Sequence, residues 1–151
     1  AHHKVRALYR FGYLCLFNPE LLGVAPPLSL DDYLRFPHIM TSITGADHGV
    51  VDIALAAIGK RRRMAATTPR FTTVAFHVLA APVITTMVDA LALGFAAQLG
   101  LATSPVPVPL DAATISMVWH SSYDHDPAHR WLREVMVRLG REAVQDQADA
   151  L

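Results

Sequence analysis

The sequence has no net charge, one cysteine and no long apolar run, and each shortage removes a class of protein. Lys+Arg and Asp+Glu both number 13, so the formal charge is zero and no global basic field draws in nucleic acid. The single cysteine, Cys15, excludes an internal disulfide framework and suits a reducing compartment. Within Tyr13-Leu14-Cys15-Leu16-Phe17 it reads as a small buried apolar residue rather than a reactive thiol. The most apolar stretch, Val74 to Leu101, is interrupted by His77, Pro82, Asp89 and Gly94 and falls short of the roughly 18 uninterrupted apolar residues of a membrane span. The N-terminus lacks the charged, apolar, small-residue order of a secretory signal. The phosphate-cradling G-x-x-x-x-G-K-[ST] loop, the dinucleotide-binding G-x-G-x-x-G turn and the G-x-S-x-G nucleophile elbow are also missing. Ser29 and Ser42 have no evident His partner, and several carboxylates read as helix caps. A cytoplasmic protein that is not an enzyme and carries no cofactor is the expectation.

What is present is apolar side chain in quantity. Hydrophobic residues make up 52% of the 151 residues and charged residues 17%, enough to build one domain with a substantial core, and the excess over an average soluble domain is either a larger core or surface meant for a partner. Tyr13–Phe17 reads as a strand. Ser29 opens a short helix as its N-cap, with Asp31 and Asp32 in the first turn where the helix dipole favours anions, and Pro37 stops it. His38–Ser42 is the next strand and Thr44-Gly45-Ala46-Asp47-His48-Gly49 a turn. Val50, Val51, Ala54, Leu55 and Ile58 share one face of the following helix, which Gly59 closes.

The run Lys60-Arg61-Arg62-Arg63 reads as a solvated loop with favourable charge at a helix C-terminus, with a nucleic-acid patch as the minor alternative because no aromatic residue accompanies it. Met64–Thr68 is a further strand, and Pro69 suits the first turn of a helix capped by Thr68. Phe71, Val74, Ala75, Val78 and Leu79 form that helix's apolar stripe, and His77 lies off it. Val83–Thr86 is a short strand, and residues 88–99 a helix ending at Gly100. Pro105, Pro107 and Pro109 keep the next segment extended. Thr114–Trp119 is a strand. Asp126-Pro127 caps a last helix whose Trp131, Leu132, Val135, Met136 and Leu139 face the core, before a polar tail that frays from Gln145. Strand and helix alternate, which indicates an α/β domain with a parallel sheet.

Two places hold candidate chemistry. His120, His125 and His129 lie close to Asp124 and Asp126, which admits a metal site and a metal-dependent hydrolase, although the spacings match no closed zinc motif. The Thr44–Gly49 turn follows a strand and opens a helix. Its glycines let a ligand approach the backbone, and free N–H groups at the helix start would hold an electron-rich oxygen. Ser42, Thr44 and His48 add hydrogen-bonding side chains. From these residues alone the segment is either a site or an ordinary turn.

Four segments together resemble a known family: Tyr9-Arg10-Phe11-Gly12-Tyr13-Leu14-Cys15-Leu16-Phe17; Leu28-Ser29-Leu30-Asp31-Asp32-Tyr33 running to Pro37-His38; Thr44-Gly45-Ala46-Asp47-His48-Gly49-Val50-Val51-Asp52; and Ser116-Met117-Val118-Trp119-His120 with Asp126-Pro127-Ala128-His129-Arg130-Trp131-Leu132-Arg133. They resemble the effector-binding domain of LysR-type transcriptional regulators. The last segment looks like the branch that responds to salicylate, nitroaromatics and flavonoids. The resemblance implies a fold like type II periplasmic binding proteins, with two α/β lobes joined by crossing strands. Residues 1–12 would be the first crossing strand region and 13–108 the second, parallel-sheet lobe. Residues 109–140 would be the returning strand and last helix of the first lobe, and 141–151 a tail.

The same resemblance implies effector contacts at Phe11, at Ser42, Thr44, Gly45, His48 and Gly49, at Phe71, and at Pro109 and Ile115. The family often has a polar residue where Phe11 stands and a basic one where Ala90 stands, so a more apolar aromatic compound than salicylate is implied. It further implies a homodimer or tetramer, and DNA contact only through an N-terminal helix-turn-helix outside this sequence. A solute-binding protein of the same fold is the competing reading.

Overall fold

The structure is a computed structural model that describes residues 2–149, with side chains through Glu142. In chain order its elements are strands β1 (His3–Phe11) and β2 (Tyr13–Phe17), helices α1 (Pro19–Leu22) and α2 (Leu30–Arg35), strand β3 (Pro37–Thr41), helix α3 (Val50–Ala57), strand β4 (Arg63–Thr68) and helix α4 (Phe71–Ala80). Strand β5 (Ile84–Val88), helix α5 (Asp89–Leu99), strands β6 (Ala102–Pro105) and β7 (Ala113–His120), a 3-10 turn (Ser121–Tyr123) and helix α6 (Pro127–Asp149) complete it. The chain divides into two compact units: Gly12–Asp111, and the two ends up to Phe11 and from Ala112 onward.

The Gly12–Asp111 unit is a five-stranded sheet in the order β4-β3-β5-β2-β6, covered on both faces. Strand β2 explains the arrangement. Successive side chains of a strand point to opposite faces, and here both faces are dry, so an unbroken apolar run is required. Cys15 and Phe17 join Tyr33, Val51, Leu55 and Ile84 in one core cluster. Leu16 joins Ile39, Val74, Ala75, Val78, Met87 and Ala92 in the other. Helices α2 and α3 therefore lie over one face, and α4 and α5 over the other. Cys15, Leu16 and Phe17 are fully buried, and a buried Leu or Phe contributes roughly 1.5–3 kcal/mol. Burial also pushes the Cys15 thiol up to about 12, leaving it protonated and inert.

Strands β4, β3 and β5 run parallel, while β2 is antiparallel to both β5 and β6. The C-terminal ends of β3, β4, β5 and β6 therefore share one sheet edge with the start of β2.

Several local signals act where the sequence places them. Ser29 Oγ accepts the Asp32 amide at 3.0 Å, and Gly100 ends α5 with a left-handed φ of 66°. Helix α4 differs from expectation. Its N-cap is Arg70 rather than Thr68, because Thr68 is still in β4, paired with Thr41 and accepting the Ser42 amide at 2.9 Å. The sheet has already used the backbone that a cap would need.

In the second unit β1 and β7 form an antiparallel ribbon from His3↔His120 to Phe11↔Ala113, with an irregularity between Ala7 and Tyr9. Gly140 of α6 faces Leu8 and Tyr9 of β1, where an added Cβ would lie at 3.4–3.6 Å, ordinary contact distance. Asp126 caps α6 as expected, accepting the His129 amide at 2.9 Å. The apolar stripe of α6 departs from expectation. Trp131 is 65% exposed, and Leu132, Met136 and Leu139 are also exposed. Periodicity identifies the apolar face; among the described residues that face is left largely exposed, with Val135 half-buried. The helix also continues through Asp149, past the expected fraying point at Gln145, in keeping with helix formers such as Arg141, Glu142 and Ala143.

His38 makes the packing of the first unit sensitive to acid. It is fully buried, and its Nε2–H donates to the Tyr33 carbonyl at 2.6 Å. Its Nδ1 is buried without a hydrogen-bond partner. Burial above all, with help from the Arg62 charge, lowers its pKa to about 4, against opposing effects of the Tyr33 carbonyl and Asp52. The unfolded ring titrates near 6.5, so below that pH the unfolded state binds the extra proton. The stability is complete above about pH 6.5 and falls as pH drops toward 4, by at most on the order of 3 kcal/mol. Thermal melts between pH 7.5 and 4.5 should show this decline. His38→Gln, which keeps a donor in place without titrating, should flatten it; an unchanged slope in that variant would assign the decline to other groups.

Candidate functional site

The shared sheet edge gathers most of the residues singled out in the sequence. Strand β3 stops at Thr41, and the Ser42 amide continues its pairing by donating to Thr68 O at 2.9 Å. The chain then turns through Gly45, whose φ of 78° is left-handed, and reaches Gly49 as the N-cap of α3. Ile43 is 88% exposed, with Val50 and Phe71 also exposed at the starts of α3 and α4. His48 stands out into solvent, with Nδ1 3.3 Å from Asp47 Oδ1. The edge thus pairs accessible backbone with apolar side chains, a combination suited to a small ligand having one polar end.

Beneath the turn lies a polar network. Asp52, in the first turn of α3, accepts the Gly49 amide through Oδ2 at 2.8 Å. The same carboxylate receives a fork from Arg62: Nε to Oδ1 at 2.9 Å and Nη2 to Oδ2 at 2.8 Å. Arg62 Nη1 donates to Tyr33 Oη at 3.3 Å, and Tyr33 Oη lies 2.7 Å from Thr86 Oγ1. The expectation of a wholly solvated basic run is therefore corrected at one position. The Arg62 side chain is only 2% exposed, because the left-handed turn at Gly59 folds the chain back, with the Lys60 amide donating to Leu55 O. Lys60, Arg61 and Arg63 are exposed as expected.

The network sets the charge states of its members. Partial burial disfavours the Asp52 carboxylate, but the hydrogen bonds and charge of Arg62 and the Gly49 amide outweigh it and hold its pKa below the usual range. Burial likewise opposes the Arg62 charge, and Asp52 more than restores it, so its pKa is raised. Burial drives Tyr33 up to about 12 against the nearby guanidinium, keeping it a neutral phenol. Helix α3 thus starts with an internal carboxylate at its positive end.

Of the nine expected contact residues, Ser42, Thr44, Gly45, His48, Gly49 and Phe71 lie along this edge. Pro109, also exposed, follows β6 out of the same edge, next to the buried Val108 that packs with Val51 and Leu55. Phe11 and Ile115 belong to the other unit, on the β1–β7 ribbon, where Phe11 pairs with Ala113 and Ile115 with Tyr9. The structure also joins Gly12 to Asp89, with Gly12 N donating to Oδ2 at 2.6 Å and Asp89 N to Gly12 O at 3.1 Å. A side chain at Gly12 would come within 3.1 Å of that carboxylate. No local pattern signals a pair separated by 77 positions.

The histidine cluster has other engagements. His120 Nδ1 lies 2.7 Å from Ser122 Oγ, and His129 stacks on Tyr123 at 4.2 Å. Asp124 accepts the Trp119 indole N–H, and Asp126 is the α6 cap. Among the described residues no three His, Cys, Asp or Glu side chains gather as metal ligands, so the metal-dependent hydrolase gains no support. No described helix is long and apolar enough to cross a membrane. The ribbon unit has an open apolar groove of about 390 Å³ beside Trp119, Tyr123, Leu132 and Met136.

Comparison with known proteins gives a consistent result. The family described as LysR substrate binding domain matches residues 2–141. The HTH-type transcriptional activator NagR of Ralstonia is 32% identical over 138 residues, covering 91% of this chain and 46% of that protein. The activator NahR of Pseudomonas putida is 31% identical over 134 residues, covering 89% and 45%. The chain thus spans less than half the length of these relatives. Among solved structures, the regulatory domain of MexT, a transcriptional activator in Pseudomonas aeruginosa, superposes with a TM-score of 0.80 at 31% identity, covering 91% of this chain and 68% of that one.

Two glycines test how much the turn's backbone matters. Neither Gly45 nor Gly94 would meet an atom within 4 Å on gaining a Cβ, but only Gly45 has a left-handed φ. Gly45→Ala should lower the unfolding free energy by about 1 kcal/mol. Gly94→Ala, inside α5, should raise it by about 0.5–1 kcal/mol. Urea titrations of the two variants should move in opposite directions, and a shared direction would contradict the assigned turn geometry.

Proposed function

The chain belongs to the LysR substrate binding domain family, and from that premise we propose that it is the sensory part of a LysR-type transcription regulator whose Ser42–Gly49 edge receives a small aromatic compound. The observation that carries the reading is the sheet edge itself. It combines the Gly45–Gly49 backbone and the exposed His48 with exposed Ile43, Val50 and Phe71. An aromatic ring would cover the apolar side chains, and a carboxylate or hydroxyl would meet the turn. The family resemblance also implies contacts at Phe11, Pro109 and Ile115, all three apolar. The lack of a basic side chain at Ala90 favours a weakly charged effector.

The reading makes this chain one part of a longer regulator, and the transcriptional activators it resembles support that, being more than twice the matched length. The exposed apolar stripe of α6, together with Val5 and Val118 on the ribbon, is surface of the kind covered by other protein. In this proposal the remaining sensory lobe and a second subunit supply that cover, and DNA is contacted by a separate helix-turn-helix.

Thermal-shift screening of the full-length protein with benzoate, salicylate and phenols is the test. A ligand present at about a hundred times its dissociation constant stabilises by roughly 2.7 kcal/mol, a clear rise in melting temperature. His48→Ala should weaken the active compound about fivefold, the size of one lost hydrogen bond. No shift with any aromatic compound would refute the effector class, and unchanged affinity in the variant would remove His48 from the site.

A further inference from the structure

The described side chains include one buried cation, and its position relative to the turn goes beyond a packing role. We propose that Arg62 is a positioning residue for the effector turn, acting through Asp52 to hold the Gly49 end of Ser42–Gly49 in its ligand-ready conformation. This rests on the reading of that turn as the site. Three observations carry it. The guanidinium side chain is 2% exposed while its partner carboxylate is 24% exposed, so the arginine is the fixed member and the aspartate the adjustable one. The fork uses two separate nitrogens on two separate oxygens, at 2.9 and 2.8 Å, which sets the plane of the carboxylate as a single contact would not. Asp52 Oδ2 accepts both Arg62 Nη2 and the Gly49 amide, each at 2.8 Å.

The third nitrogen of Arg62 ties the clasp to the opposite side. Nη1 donates to Tyr33 Oη, itself 2.7 Å from Thr86 Oγ1 on the central strand β5. The turn is therefore held through Gly49, Asp52 and Arg62, and the Tyr33–Thr86 pair packs behind that clasp as part of the core. The Arg62 side-chain hydrogen bonds go to Asp52, Tyr33 and Met40 rather than to a proposed effector contact, so its influence on ligand runs through Asp52. The contact with Met40 Sδ is at 3.6 Å, and a Cβ at Gly49 would lie 3.7 Å from the same sulfur. The clasp and the turn thus pack on one methionine.

The test separates a held turn from a merely stable domain. Amide hydrogen exchange is followed in the full-length protein and in Arg62→Met, Arg62→Lys and Tyr33→Phe. The Ser42, Gly49, Asp52 and Ile53 amides, all hydrogen-bonded in the structure, report on the turn. Amides of β2 and β5 report on the core. Arg62→Met should speed exchange at Gly49 and Asp52 about tenfold with the core still protected. Arg62→Lys should give a smaller increase. Tyr33→Phe keeps the Asp52 fork; it should lower the melting temperature and leave turn exchange unchanged. Should Arg62→Met not fold, the Arg62→Lys and Tyr33→Phe pair makes the same comparison.

Equal exchange in wild type and both Arg62 variants, or equal acceleration in Tyr33→Phe, would overturn the positioning role. Benzoate affinity is measured on the same samples. Weaker binding alongside faster turn exchange supports the proposal, and unchanged binding with a loosened turn contradicts it. If wild type fails to bind benzoate or any phenol, the site reading falls, while the exchange data still decide whether Arg62 holds the turn.

Discussion

The buried fork between Arg62 and Asp52 is the constraint around which the sheet unit is organised. An arginine that is 2% exposed has surrendered its hydration, a penalty of several kcal/mol per ion that only good geometry offsets. Here the offset comes from a two-point contact with a carboxylate and a further bond to a phenol. The arrangement is lopsided. Losing Asp52 would strand a buried cation, whereas losing Arg62 would leave a carboxylate that water can reach. Asp52 is therefore held in place by the demands of Arg62, and the start of α3 is held with it. The three helices α3, α4 and α5 begin at the same sheet edge, and only α3 has its first turn tied into a buried charge.

That dependence explains why the edge can be both exposed and ordered. Turns at the carboxyl ends of strands are natural ligand sites because several helix starts meet there, yet a turn with left-handed glycine and exposed side chains is also inherently loose. Fixing one end by Ser42–Thr68 pairing and the other by the Gly49–Asp52–Arg62 chain leaves the middle, Ile43 to His48, largely exposed, as the proposed site requires. The neighbouring Asp89–Gly12 pair does similar work where the unit begins, holding the backbone at Gly12 with a carboxylate from α5.

What could be read from the sequence was local. The continuous apolar run of β2, the Ser29 cap, the Asp126-Pro127 start and the Gly100 stop are each set by neighbours within a turn or two, and each stands where expected. Six of the proposed contact residues could be placed on one edge because strand, turn and helix followed in order. The rest depended on distant partners. Arg62 looks like any member of a charged run until Asp52 and Tyr33 are brought to it. Thr68 has the chemistry of a cap but is already committed to pairing. The stripe of α6 has the period of a core-facing helix, and periodicity is silent about whether a partner is present. Asp89 and Gly12 have no sequence relationship at all.

The most direct test of the sensory reading is the chemical-shift map of the backbone amides during titration of the full-length protein with an aromatic acid or phenol. The account predicts that the largest changes fall on Thr44, Gly45, His48 and Gly49, with Phe71 affected to a lesser degree. Changes confined to the Trp119–Met136 groove, or none at saturating ligand, would contradict it.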